Sequence, residues 1–134
     1  LEICLDSDVL IDFLRGDTET VKMIRWLEED HELATTSINI FELYYGAYKT
    51  GKEKNVKAVD DLSKSLEVYR LTDRSARISG RIVVELETRG EPIDFRDALI
   101  AGIVIENDVS LLTKNVKHFQ RVRELKLFQN IFRE

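Results

Sequence analysis

Cysteine is nearly missing from this chain of 134 residues. The single one, Cys4, has no partner for an intramolecular disulfide. That suits a reducing compartment, and a cytoplasmic location is expected. Cys4 lies in an apolar run and is expected to pack rather than react. Proline is as scarce, with Pro92 alone. No internal repeat, low-complexity segment or linker divides the sequence, so one domain over residues 1–134 is expected. No apolar run approaches the ~20 residues of a membrane span, and no basic-then-apolar signal segment opens the chain, whose first residue is Leu. No membrane association is expected. No G-x-G-x-x-G follows the first apolar run, which disfavours dinucleotide binding. Positive charge is in deficit too: 20 Lys and Arg against 25 Asp and Glu, a net charge of −5.

That deficit is uneven. From Lys114 to Glu134 there are six basic residues (Lys114, Lys117, Arg121, Arg123, Lys126, Arg133) and two acids, Glu124 and Glu134. A local basic surface on an acidic protein is therefore allowed. The composition, 43% hydrophobic and 34% charged, is that of a globular chain.

The organising stretch is LEICLDSDVLIDFL at residues 1–14. It reads as a buried strand ending at Asp6, then a helix starting on Ser7 or Asp8. Gly16 suits the end of that helix. Val21, Ile24, Trp26 and Leu27 mark a second helix, and residues 32–36 (ELATT) a second strand. A helix from Ser37 carries Ile38, Phe41, Tyr44, Tyr45 and Tyr48 on one stripe, and Asn39, Glu42, Gly46 and Lys49 on another. Val56, Val59, Leu62 and Leu66 mark a further helix, and residues 67–71 a third strand. Thr72 or Asp73 caps a helix that ends before Pro92. Residues 94–107 form a helix apolar on nearly every side after Asp97, so it is expected to be buried. Residues 109–113 read as a fourth strand, 115–119 as a turn or short helix, and 125–130 as an edge strand. Alternating strands and helices predict an α/β fold with a parallel sheet covered on both faces.

Ligands of such sheets bind beyond the carboxyl ends of the strands, where Asp6 is expected. Its plainer reading is a helix cap, but Ser7 can cap equally well and leaves Asp6 spare. Asp8 falls in the first helical turn, where the dipole favours an acid. Glu42 reads either as part of a solvated polar stripe or as an acid approached over Gly46. Asp94 is the natural N-cap of the buried helix. Asp97, near the third helical position, lies against so apolar a helix that it needs a partner. Acids gathered at the ends of different elements repel one another, and a hard divalent cation such as Mg2+ or Mn2+ relieves that. This points to phosphodiester hydrolysis.

Four blocks in order make the pattern more specific: CLDSDVLIDFL, TTSINIFELYYG, PIDFRDALIAGIVIEND and LLTKNVKHF. Together they resemble the PIN-domain family, and within it the VapC-type toxin ribonucleases of toxin–antitoxin pairs. The resemblance implies a Rossmann-like three-layer sandwich, with about five parallel strands and helices on both faces. It implies Mg2+- or Mn2+-dependent cleavage of RNA, with Asp6 and Asp97 as principal metal ligands and Glu42 as the third acid. Asn115 stands where many PIN nucleases carry Asp; it can hold water or ligate through its carbonyl but brings no charge. Thr113 is available to orient Asn115 or the acids. The resemblance also implies a homodimer and a cognate antitoxin.

RNA phosphates are expected to meet Lys114, Lys117 and Arg121, which follow the fourth strand. Arg74, Arg77 and Arg81, and the Lys49, Lys52 and Lys54 group, are further candidates. For each set the alternative is an ordinary solvated face. The aromatic group Phe41, Tyr44, Tyr45 and Tyr48 reads either as core or as a partner surface. The functional alternative to a nuclease is a catalytically silent PIN-like module that binds RNA or protein. A receiver-type phosphoacceptor domain fits less well, because a helix-borne Glu42 and a D-x-x-I-A block have no place in it.

Overall fold

A computed structural model describes residues 2–128. Its five strands are β1 (Glu2–Leu5), β2 (Glu32–Thr36), β3 (Glu67–Tyr69), β4 (Ser110–Leu112) and β5 (Lys126–Leu127). All pair in parallel, in the order β3-β2-β1-β4-β5. Between β1 and β2 run α1 (Ser7–Leu14) and α2 (Thr18–Glu28). Between β2 and β3 run α3 (Ser37–Lys49) and α4 (Glu53–Ser65). Then α5 (Asp73–Thr88) and α6 (Phe95–Glu106) lead to β4, and α7 (Val116–Phe119) leads to β5.

Strand alternation sorts the core onto two faces. Ile3, Leu5 and Leu112 join α1 to α4 through Val9, Leu10, Ile24, Leu27, Leu43 and Val59. Cys4 and Leu111 join α5, α6 and the chain after β4 through Ile82, Leu86, Ile100, Val104 and Phe119. The expected sandwich is thus present, and α6 is buried as expected, with Ala98, Ile100, Ala101, Ile103 and Val104 at most 1% exposed. Helix α5 lies unusually close to α6. A Cβ on Gly102 would collide with the Ser79 side chain and lie 2.6 Å from the Ser75 carbonyl oxygen. Only glycine allows that approach.

Three strands are shorter than their apolar runs. Strand β3 stops at Tyr69 rather than at residue 71, because Thr72 and Ser75 form a reciprocal capping box that starts α5. Strand β4 spans Ser110–Leu112. Of the strand expected over residues 125–130, Lys126–Leu127 pairs with β4, and positions 129–130 lie outside the described residues. Gly16 follows α1 at φ 78°, as expected for a helix terminator.

Strand β1 pairs with β2 on one side and with β4 on the other, so the strand order reverses at the β1/β4 boundary. That crevice is the favoured ligand position in open parallel sheets. Asp6 closes it on one strand and Thr113 on the other, and the Asp6 N–H donates to the Leu112 carbonyl at 2.9 Å.

Candidate active site

Asp6 is 1% exposed, yet it is not spare. It is the N-cap of α1, accepting from the Ser7 N–H at 2.8 Å. Ser7 cannot share that task, since it begins the helix and its hydroxyl donates to Glu42 at 2.5 Å. The other bonds to Asp6 arrive from distant elements. Asn39 on α3 donates to Oδ1 at 2.9 Å, and Thr113 donates to Oδ2 at 2.7 Å. Asn39 is fully buried, with its own carbonyl oxygen held by the Thr36 hydroxyl at 2.7 Å. That bond turns the amide donors toward Asp6 and Ser7.

Glu42 stands on α3, one turn beyond Asn39. Asp97 stands third in α6 and is 5% exposed. Both are reached by Arg96, the residue before Asp97. Its guanidinium grips Glu42 through Nε at 2.5 Å and Nη2 at 2.8 Å, donates from Nη2 to Asp6 at 3.0 Å, and donates from Nη1 to Asp97. Asp6, Glu42 and Asp97, more than ninety positions apart at their extremes, therefore converge on one planar cation. The bidentate grip on Glu42 is the geometry in which arginine binds carboxylates most strongly.

Electrostatics follow from this packing. Burial pushes the Asp97 carboxyl upward, with Arg96 opposing. For Glu42, burial is outweighed by the hydrogen bonds of Arg96 and Ser7 and by the Arg96 charge, which hold its carboxyl below the ordinary range. Arg96 itself is held more firmly protonated, because the acids outweigh its burial. Asp8, read from sequence as a dipole-favoured helical acid, also faces the cleft. It accepts from the Lys114 N–H at 3.0 Å, and burial together with Asp6 raises it to about 6. Burial, with Asp6 nearby, drives the Cys4 thiol far up, so it is no nucleophile.

An open cleft at the ends of β1 and β4 is lined by Asp6, Asp8, Glu42, Tyr45, Lys114 and Asn115, and by Gly46 and Arg96. Asn115 is the N-cap residue of α7 without a side-chain capping bond, and its N–H donates to the Thr113 hydroxyl at 2.9 Å. Among the described residues, no three His, Cys, Asp or Glu side chains are spaced to hold an ion. The chemistry of the donor set still fits one. It consists of hard carboxylate oxygens: Asp6, Glu42 and Asp97 share one guanidinium, with Asp8 and Lys114 beside them, which leaves negative charge in excess.

A family model for the PIN domain matches residues 3–125. Ribonuclease VapC19 of Mycobacterium tuberculosis is 30% identical over 122 residues, which span 90% of this chain and 94% of that protein. The chain belongs to the PIN-domain family and to its VapC ribonucleases. The tRNA(fMet)-specific endonuclease VapC of Salmonella typhimurium is 27% identical over 128 residues, covering 95% of this chain and 96% of that one. VapBC2 of Rickettsia felis, solved on a DNA fragment from its promoter, superposes at a TM-score of 0.87 with 27% identity, covering 96% and 98% of the two chains.

The basic residues divide differently from the sequence expectation. Lys114 lines the cleft and pairs with Asp12. Lys117 is exposed on α7 and does not line it. Arg121 is a structural clamp: its guanidinium donates to the carbonyls of His118, Glu91 and Pro92 at 2.9, 3.1 and 2.7 Å. Arg81 pairs with Glu85 and Glu124, whereas Arg74 and Arg77 are exposed on α5. Asp94 occupies the N-cap position of α6 but makes no capping bond through its side chain. The aromatic stripe of α3 divides: Tyr44 is half-buried against the core, and its hydroxyl donates to Asp60 at 2.5 Å. Phe41, Tyr45 and Tyr48 are 67%, 59% and 68% exposed, and Phe41 stacks on Tyr45.

Three contributors went unread in the sequence: Ser7, Asn39 and Arg96. Arg96 carried a signal. It sits second in a helix, where the dipole favours acids, so a cation there implies acids close by. Asn39 carried a weaker one, a polar residue three positions after a strand-ending Thr.

Proposed function

We propose that this VapC-family chain is a Mg2+- or Mn2+-dependent endoribonuclease and the toxin of a toxin–antitoxin pair. The observation that carries this reading is the convergence of Asp6, Glu42 and Asp97 at the β1/β4 crevice. Those three would hold the ion, and Asn115 would add a neutral oxygen at its edge. When bound, the ion supplies Lewis-acid stabilisation of charge on a phosphoryl oxygen and acidifies water.

The chain's own residues do the positioning. Asn39, Thr113 and the Ser7 N–H fix both oxygens of Asp6, so it needs no rearrangement to act as a ligand. Ser7 orients Glu42 in the same way. Such partners typically matter by about 10–100-fold in metal affinity or activity. Lys114 is suited to a phosphate, and Tyr45, stacked on Phe41 with the Lys49 ammonium 5.2 Å from its ring centroid, sets an aromatic ring and a cation beside the acids for a nucleotide.

Several features support the partners. The Rickettsia felis and Salmonella typhimurium neighbours were solved as VapBC assemblies, which supports a cognate antitoxin. Exposed Phe95, beside Val83, Ala98 and Leu99 in an apolar hollow between α5 and α6, favours a homodimer. No described helix is long and apolar enough to cross a membrane. The unpaired buried Cys4 fits a cytoplasmic protein.

The test is Mn2+-dependent cleavage of a mixed RNA substrate by the purified chain, with Asp6→Asn and Asp97→Asn alongside. Cleavage that EDTA abolishes and both variants lose is the expected result. Cleavage unchanged in both folded variants removes the mechanism. A silent binding module is the second reading, favoured by Arg96 at the meeting point of the acids. It requires RNA binding in EDTA with no cleavage at any Mn2+ concentration.

A further inference from the structure

Arg96 is at odds with its own position. The second residue of a helix meets the positive end of the helix dipole, so local electrostatics oppose a cation there. Its guanidinium is held there by three carboxylates. It also answers them incompletely, supplying one positive charge to Asp6, Glu42 and Asp97, with Asp8 close by. The supports of these acids are unequal. Asp6 keeps Asn39, Thr113 and the Ser7 N–H without it, and Glu42 keeps Ser7. Asp97 has Arg96 as its ion-pair partner, and burial already raises its carboxyl. The Arg96 side chain is 31% exposed at the cleft mouth, so it can turn outward without opening the core.

We propose that Arg96 is a resident counter-ion that holds Asp6, Glu42 and Asp97 together in the metal-free protein and turns out of the pocket when a divalent ion binds. The inference rests on the reading above that these acids are the metal ligands. Arg96 is a positioning residue in this scheme. It keeps mutually repelling carboxylates gathered until the ion arrives, and it weakens the ion's apparent affinity by occupying their meeting point. A ligand that must first displace a competing state binds more weakly by the population of that state.

The experiment is Mn2+ binding followed by electron paramagnetic resonance and calorimetry, on the full chain stripped of metal. Wild type, Arg96→Gln, Arg96→Lys and Asp97→Asn are compared. Arg96→Gln is expected to bind Mn2+ about tenfold more tightly than wild type, with Arg96→Lys between them. In EDTA, Arg96→Gln should melt below wild type, and Mn2+ should raise its Tm more than it raises wild type's. Binding by Arg96→Gln that is no tighter than wild type, while Asp97→Asn loses the ion, overturns the counter-ion role and leaves the acids as ligands. No Mn2+ binding by folded wild type and folded Arg96→Gln overturns both readings. Should Arg96→Gln not fold, the wild-type Arg96 Nε–H resonance decides. Mg2+ should move it from a protected, hydrogen-bonded position to that of a solvated arginine. A resonance unmoved by Mg2+ that binds with measurable heat overturns the proposal.

Discussion

The first turn of α6 carries Arg96 and Asp97, whereas the next two turns carry Ala98, Ile100, Ala101, Ile103 and Val104. Both stretches are packed, but they are held differently. The apolar stretch is surrounded by many replaceable contacts, among them Ile82, Leu86 and Leu111. No single partner decides its place. The charged turn depends on Asp6 and Glu42, each supplied by a different element and oriented by its own hydrogen bonds. A hydrophobic surface tolerates exchange at similar volume, whereas a polar network needs each member in its own geometry to do its work. The two parts of one helix should therefore separate stability from activity.

The largest effect is expected at the charged turn. Asp97→Asn should lower Mn2+-dependent cleavage by about two to three orders of magnitude, since it removes an anionic ligand beside developing charge. Stability in EDTA should change by under about 1 kcal/mol, because burial already disfavours the charge that is removed. Initial-rate assays and urea unfolding measure both quantities, and a large stability loss would break the contrast. Gly102→Ala should do the reverse. Its Cβ has no room against Ser75 and Ser79, so about 1–3 kcal/mol of stability is lost, with cleavage per folded molecule unchanged.

A smaller effect is expected from Tyr45→Ala, which leaves the acids in place. KM for RNA should rise by the equivalent of about 1–3 kcal/mol with kcat retained, and Tyr45→Phe should behave as wild type. A fall in kcat alone would assign Tyr45 a different part. The smallest concerns pH. The folded protein holds the Asp8 proton up to about 6, above the ordinary value of about 3.9. The folded state thus binds more protons than the unfolded one in that interval, so stability in EDTA should fall as pH rises from about 4 to 6. Thermal melts of Asp8→Asn should show a shallower fall.

Legibility in the sequence followed the range of the forces involved. Strand β2 at residues 32–36 and the burial of α6 were read correctly, because hydrophobic period and helix punctuation are local. The ends of β3 and β4 were not, since the reach of strand pairing and the Thr72 cap decide them. The convergence of Asp6, Glu42 and Asp97 was anticipated from motif order. The cation among them was not, nor was the diversion of Arg121 to three carbonyls, because nothing local distinguishes a clamp from a phosphate contact.

What the amino-acid order determined by itself is an alternating α/β chain with a carboxylate after its first strand and a helix too apolar to face water. Those follow from period and polarity, which each segment carries alone. What only the tertiary structure decided is that Asn39 and Thr113 fix Asp6, and that one guanidinium stands where three acids meet. Those depend on strand order bringing remote residues within hydrogen-bond reach, and a bond effective only near 3 Å leaves little trace in the spacing of residues along the chain.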